Sequence, residues 1–291
     1  MRSGPNYATV ELMERNTLAE PRAGGSVESF IAAVRDHASR SLRSFPWRET
    51  HDPYEILVSE FMLQQTQVER AMAKYGGFLT RFPDFSALAR ADLQAVLHAW
   101  QGLGYNRRAV ALKRTALAVV EKHVGRLPED HEALMRLPGI GPSTAGAVLA
   151  FAFGIPVAFI ETNIRRVFIH FFFPDRDRVD DREILPLVEE TLDRHDPRGW
   201  YYALMDYGTM LKKTVPNPNR KSAHYARQAA FEGSDRQIRG RILKMLLSSG
   251  PMDAEELAGG LGRDPVRVYR ILGDLVREGF LARRGSTVSV G

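Results

Sequence analysis

The sequence predicts an all-α protein that closes in a winged-helix-like segment. Three observations carry this. Between Ser26 and Thr214 apolar residues recur at helical spacing and no convincing alternating strand interrupts them. Pro and Gly punctuate that stretch at short intervals, as turns between helices do. Past the polar, turn-forming VPNPNRKS (Val215–Ser222) the pattern changes to helix, Gly-Pro turn, short helix, turn and longer helix, then two β-prone pieces flanking Gly285.

Taken in order, residues 1–24 lack sustained periodicity and read as a flexible tail. SVESFIAAVRDHASRSL opens on a capping serine, Ser26, ahead of an amphipathic helix. FPWRETHDPY reads as a Pro-broken loop. The helix ILVSEFMLQQTQVERAM follows, then helices in VERAMAKYGGFLTRF, DFSALARA, DLQAVLHAW and NRRAVALKRTALAVVEKH. HEALMRL, the glycine turn PGIGP and STAGAVLAFAFG come next. TNIRRVFIHFFF, REILPLVEETLDRH and GWYYALMDYGTMLKK complete a multi-helical domain over residues 25–230. Residues 235–291 form the second domain, with RDPVRVYRILGDLVREG as its recognition helix if it contacts DNA. Such modules also serve as packing surfaces, and the sequence leaves both uses open.

Composition sets limits. The chain has 291 residues, 44% apolar and 26% charged, as a globular protein does. No apolar run, Val167–Phe173 among them, reaches the roughly 18 residues that would cross a bilayer. No secretory signal opens the sequence, so the expected setting is cytoplasmic. Cysteine is absent, which rules out disulfides, thiolate zinc sites, cysteine nucleophiles and cysteine-ligated iron–sulfur clusters. Net charge is +5, out of 40 Lys/Arg and 35 Asp/Glu. From Arg220 onward there are 13 against 8, leaving 27 against 27 before it, so the surplus lies in the last quarter. That placement suits a polyanionic partner or a solvated basic surface.

Two local patterns suggest chemistry. LPGIGPSTAGAV sets Gly139 and Gly141 between helices, where glycine can take positive φ and let a phosphate approach the backbone. Amides of the turn and of the helix start, at Ser143 and Thr144, would then face an anion without reading bases. ILVSEFMLQQTQV places one carboxylate, Glu60, among Val58, Phe61 and Met62, followed by uncharged polar residues where a core would want leucine.

Together LPGIGPSTAGAV, WQGLGYNRRA and SEFMLQQTQV resemble the helix-hairpin-helix (HhH-GPD) base-excision DNA glycosylases over residues 26–215. The likeness is greatest to the MutY-type adenine glycosylases and more distant to endonuclease III. The resemblance implies a two-lobed helical glycosylase fold with a cleft between the lobes. It makes Glu60 the catalytic acid. Gln65 becomes the wedge that fills the stack when a base is extruded, Gln64 its support, and Leu63 a contact of the flipped base. It puts Trp47 and Arg48 on the base pocket, with Asp206 accepting from the adenine amino group. Gly139, Gly141, Ser143, Thr144, Arg107, Lys212 and Lys213 fall on the DNA-binding face. The carbonyls of Met135, Leu137 and Ile140 would hold a monovalent cation bridging to phosphate. The implied partner is double-stranded DNA bearing a mismatch or lesion, bound by a monomer without a membrane.

Departures from the family pattern matter equally. Where the family has an Asp, AFIETNIRRV has Glu161, which keeps the charge but adds a methylene. Where the lyases carry a Schiff-base lysine stands Ser143, so the implied chemistry is monofunctional hydrolysis. No iron–sulfur cluster can follow the MDYGTM helix, and Lys212, Lys213, Arg220 and Lys221 would replace its DNA contacts. The usual C-terminal domain that reads the opposite base is replaced by the winged-helix-like segment. The first expectation is removal of adenine opposite 8-oxoguanine or guanine with no required cofactor. The alternatives are a glycosylase for thymine or uracil opposite guanine, or another modified base, and a non-catalytic DNA-binding protein.

Overall fold

The computed structural model describes residues 26–227 and 230–291; the tail expected over residues 1–24 lies outside them. Several helices start where short polar side chains close their first turns. Ser26 accepts from Ser29 N ahead of α1 (Val27–Ser41). Asp52 accepts from Tyr54 N and Glu55 N at 2.8 and 3.1 Å ahead of α3 (Pro53–Leu63), with Pro53 pre-setting the first turn. Asp84, Asp92 and Asp130 do the same for α5 (Phe85–Arg90), α6 (Leu93–Trp100) and α8 (His131–Met135). Between them lie α2 (Pro46–Glu49), α4 (Val68–Arg81) and α7 (Arg107–Lys122). The stretch expected as a Pro-broken loop thus contains one helical turn, α2, because Pro46 fixes φ at a helix start. Next come α9 (Pro142–Ala152), α10 (Thr162–Phe172), α11 (Asp181–Thr191), α12 (Pro197–Thr214) and a short 3₁₀ turn, Pro218–Lys221.

The chain divides into two units. The first gathers the described residues up to Leu42 with Thr162–Thr191 and Tyr202–Tyr225. Its core is aromatic: Phe30 meets Phe168, Phe171 and Phe172 at 5.0 to 5.1 Å between ring centroids, which explains the apolar run in α10. Arg166 is buried there and satisfied, donating to Asn163 Oδ1 at 2.6 Å and Gly208 O at 2.7 Å. Gly208 lets α12 come close to α10; a Cβ there would lie 2.6 Å from the carbonyl oxygen of Asn163.

The second unit holds Arg43–Glu161, Leu192–Tyr201 and Ala226–Gly291. One apolar core runs from Leu57, Phe61 and Trp100 into Ile238, Ile242 and Leu272. The C-terminal part follows the element order read from the sequence, with one strand added: α13 (Asp235–Ser249), β1 (Met252–Asp253), α14 (Ala254–Leu261), α15 (Pro265–Arg277), β2 (Leu281–Arg284) and β3 (Thr287–Val290). The strands form an antiparallel sheet ordered β1-β3-β2, with Leu281 opposite Val290 and Met252 opposite Val288. Two residues are too few to show alternation, so β1 left no trace in the pattern. This part is tied to α7 by charge: Glu278 takes two hydrogen bonds from Arg107, at 2.6 and 2.9 Å, and two from Arg239, at 2.5 and 3.1 Å.

Candidate active site

Glu60 sits in the last turn of α3, flanked by the buried side chains of Val58, Ser59, Phe61 and Met62. Part of the residue reaches the surface, but its carboxyl is enclosed. Burial pushes its pKa up to about 8, and the negative charge of Glu161 adds to the rise. A carboxyl in that state holds its proton at neutral pH.

Glu161 lies within electrostatic range of Glu60, and the segment before it is strapped down. Tyr201 donates its hydroxyl to Val157 O at 2.7 Å, and its ring lies 4.1 Å from that of Phe159. Phe159 in turn lies in the space left by Gly146 of α9, where a Cβ would come within 2.5 Å of it. The small residues of STAGAV are therefore a seat for the chain that carries Glu161. Glu161 is the residue before α10 and is itself half-buried.

The hairpin joins α8 to α9. Gly139 has φ +77°, as expected; a Cβ there would stand 2.7 Å from Ala111 Cβ and 3.0 Å from the Phe61 ring. Thr115 Oγ1 donates to Pro138 O at 2.6 Å. The turn thus rests on α7 and on the residue next to Glu60. Gly141 departs from expectation: at φ −97° it is an ordinary cap ahead of Pro142, with open space at its Cβ. Ser143 and Thr144 occupy the first turn of α9, where backbone N–H groups lack intrahelical acceptors. Leu137 O already accepts from Ile140 N at 3.2 Å, while Met135 and Ile140 carbonyls accept no backbone bond among the described residues. That leaves acceptor capacity for a hard cation at the hairpin. Iron–sulfur chemistry finds no fit, since the chain has no cysteine.

Beyond Glu60 the chain turns sharply. Gln64 Nε2 donates to Thr144 Oγ1 at 3.2 Å, tying this loop to the start of α9. Gln65 is exposed and takes φ +54°, a left-handed conformation that costs a residue with a Cβ about 1–2 kcal/mol. Leu63, half-buried, packs on the core beside it.

The other expected residues are placed as follows. Trp47 is 5% exposed, stacked on Phe45 at 5.2 Å and edge-on to Tyr75 at 5.4 Å. It is a core tryptophan with little free surface, because PWR packs into the second unit. Arg48 donates to Arg43 O at 2.8 Å and lies over the Phe45 ring. Arg107, expected on DNA, is bonded to Glu278. Asp206 is 3% exposed on α12 in the first unit, not solvated. Lys212 and Lys213 are exposed at the end of that helix, whereas Lys221 donates to Pro174 O. The arginines of α15 are engaged with acids: Arg267 and Arg270 with Asp235, and Arg277 with Asp274. Sequence reading passed over Arg108, whose role rests on backbone carbonyls that leave no residue signature.

An enclosed carboxyl, a second carboxylate that raises its pKa and a glycine hairpin packed against Phe61 are the features expected of a base-excision glycosylase of the helix-hairpin-helix class. The HhH-GPD superfamily base excision DNA repair protein model matches residues 58–191. Adenine DNA glycosylase of Mycobacterium tuberculosis is 34% identical over 268 residues, covering 84% of this chain and 87% of that protein. Adenine DNA glycosylase of Mycolicibacterium smegmatis is likewise 34% identical, covering 84% and 89%. Among solved structures, a thermostable thymine-DNA glycosylase superposes with a TM-score of 0.57 at 26% identity, over 63% of this chain and 86% of that one. The chain belongs to the HhH-GPD base-excision DNA repair superfamily, in the adenine DNA glycosylase branch. Among the described residues no helix is long and apolar enough to cross a membrane.

Proposed function

We propose that the chain is a monofunctional DNA N-glycosylase that removes adenine mispaired with 8-oxoguanine or guanine, working as a cytoplasmic monomer on duplex DNA. The observation that carries it is the enclosed carboxyl of Glu60, set among Val58, Phe61 and Met62 with Glu161 close enough to raise its pKa. Glu60 gives its proton to N7 of the extruded adenine. The C1′–N9 bond then breaks, its electron pair leaves with the neutral base, and water adds its oxygen to C1′ while returning a proton to the Glu60 carboxylate. Glu161 stabilises the positive charge that develops on the sugar. Ser143 has no amine to form a Schiff base, so the product is an intact strand with an abasic site. Gln65 fills the vacated stack, and Arg48 and Leu63 bear on the base. The hairpin at Gly139–Gly141 and the start of α9, with a monovalent cation on the Met135, Leu137 and Ile140 carbonyls, hold phosphate. The names of the mycobacterial relatives support adenine as the target.

A second reading, thymine or uracil opposite guanine, is favoured by Glu161 in place of the family's aspartate and by the likeness to the thymine-DNA glycosylase structure. Four duplexes separate the two: adenine opposite 8-oxoguanine, adenine opposite guanine, thymine opposite guanine and uracil opposite guanine, each incubated with protein and cleaved with alkali. The adenine duplexes should give the fastest cleavage, and only after alkali. Faster release of thymine or uracil would replace the first reading with the second, and breaks without alkali would contradict the role of Ser143.

A further inference from the structure

We infer that Arg108 is the positioning residue that presents Gln65 to DNA, which rests on the reading of Gln65 as the wedge. Its guanidinium joins two loops. One nitrogen donates to Phe61 O at 2.8 Å, Met62 O at 2.9 Å and Gln64 O; the other donates to Thr66 Oγ1 at 2.8 Å, Gly104 O at 3.0 Å and Leu103 O at 3.2 Å. Thr66 Oγ1 also bonds Leu103 O at 3.3 Å, so the 64–66 loop and the 103–105 turn are closed on each other around this side chain.

The chemistry of the partners explains why an arginine is there. Phe61, Met62 and Gln64 carry the carbonyls at the end of α3, where the helix leaves acceptors without intrahelical donors and its dipole is negative. A planar fork with five N–H groups meets several of them at once, which the point charge of a lysine cannot do. Arg108 is 8% exposed and forms no ion pair with a carboxylate among the described residues. Burial pushes its pKa down to about 10, so it stays cationic at neutral pH, with the Trp100 and Tyr105 rings 5.5 Å away. A buried cation neutralised by carbonyl dipoles alone is costly unless its geometry is met in full. What this geometry holds in place is the loop in which Gln65 stands exposed at φ +54°. A wedge already fixed before DNA arrives need not be ordered on binding.

A purely stabilising arginine and a positioning one differ in which substrates they affect. Single-turnover excision is measured on a duplex with the target adenine opposite guanine and on one with it opposite an abasic-site analogue, where no base pair has to be broken. A 2-aminopurine target in the same two duplexes reports extrusion by fluorescence, independently of excision. Arg108→Lys should lose about 10- to 100-fold in rate on the paired duplex and less than about 3-fold on the unpaired one. Gln65→Ala should show the same pattern, and the double variant should be no slower than the slower single, since both act on one element. Thr66→Val, which removes one tie and keeps Arg108, should show a smaller loss with the same selectivity. It carries the test if Arg108→Lys does not fold. Equal losses on both duplexes from either variant would overturn the inference. Selective loss in Arg108→Lys with Gln65→Ala unchanged would sink the wedge reading and leave Arg108 acting through another residue of the loop.

Discussion

Glu161 raises the pKa of Glu60 from the end of a segment that Tyr201 and Gly146 hold against α9. Two acids far apart in sequence are thereby electrostatically coupled, and they are not equivalent. Glu60, enclosed by apolar neighbours, keeps its proton. Pairs of carboxyl groups whose surroundings push them apart are how acid and counter-charge roles are divided at neutral pH.

Glu60→Gln should abolish excision while leaving duplex affinity within a few-fold, as measured by single-turnover kinetics and a binding titration. Retained excision would remove Glu60 from the chemistry. With Glu60 as the proposed proton donor, whose pKa is raised to about 8, the wild-type rate should be level below that pH and fall as pH rises through it. Glu161→Gln removes a neighbouring negative charge, lets Glu60 ionise sooner and should move that limb to lower pH. A limb that stays in place would show that burial alone sets it.

The same shift acts on stability. Glu60 has a folded pKa above its unfolded value, so its contribution is fully present below about 4.5 and is lost as pH rises through about 8. Glu60→Gln should therefore gain stability over wild type as pH climbs across that window, read as a growing difference in Tm between pH 5 and 9. A difference that does not change with pH would mean that the carboxyl is hydrated in the folded protein.

Glu161→Asp should preserve or raise activity, because it shortens the side chain to the length the family uses. A displacement of about 1 Å at a reacting centre can cost about 100-fold, so the direction of change is informative. Complete loss would mean that the longer acid is built into this site, through the path that Phe159 takes over Gly146.

The hairpin makes two glycines separable. Gly139→Ala must place a Cβ 2.7 Å from Ala111 and 3.0 Å from Phe61 at φ +77°. Backbone strain and overpacking together should cost about 2–4 kcal/mol. Gly141→Ala, with open space and φ −97°, should change stability by less than about 0.5 kcal/mol. Denaturant unfolding of both variants measures this; equal effects would mean that the close approach at Gly139 can relax.

Much of this was legible in the sequence, and the reasons are local. Ser26 marks a helix start because a short polar side chain satisfies an N–H group one turn on, as Asp52, Asp84, Asp92 and Asp130 are seen to do in the structure. The acid among apolar residues at Glu60 and the paired glycines stood out for the same reason. What could not be read were partners set by tertiary closure. Arg108 binds carbonyls, which every residue has. Trp47 looked like a pocket wall, and only packing against Phe45 and Tyr75 shows it as core. Gly141 was granted a positive φ that Pro142 and the helix start do not require.

Glu278 shows the cost of such non-local pairing most directly. Its partner Arg107 was expected on DNA, yet the guanidinium is bonded to this carboxylate, as is that of Arg239. Hydrogen bonds from Arg107, then from Arg239, outweigh burial and hold Glu278 well below the usual carboxylate range, at about 2. A depressed carboxylate contributes stability above its unfolded pKa and loses it as pH falls from about 4.5 through about 2. Glu278→Gln should therefore lower Tm at neutral pH, with the deficit shrinking as pH falls toward 3. The same variant leaves Arg107 free for phosphate. Duplex affinity should rise a few-fold, and the slope of log K against log salt should steepen by about 0.9, the signature of one added phosphate contact. Unchanged affinity and slope would mean that Arg107 serves only to hold the C-terminal part against α7.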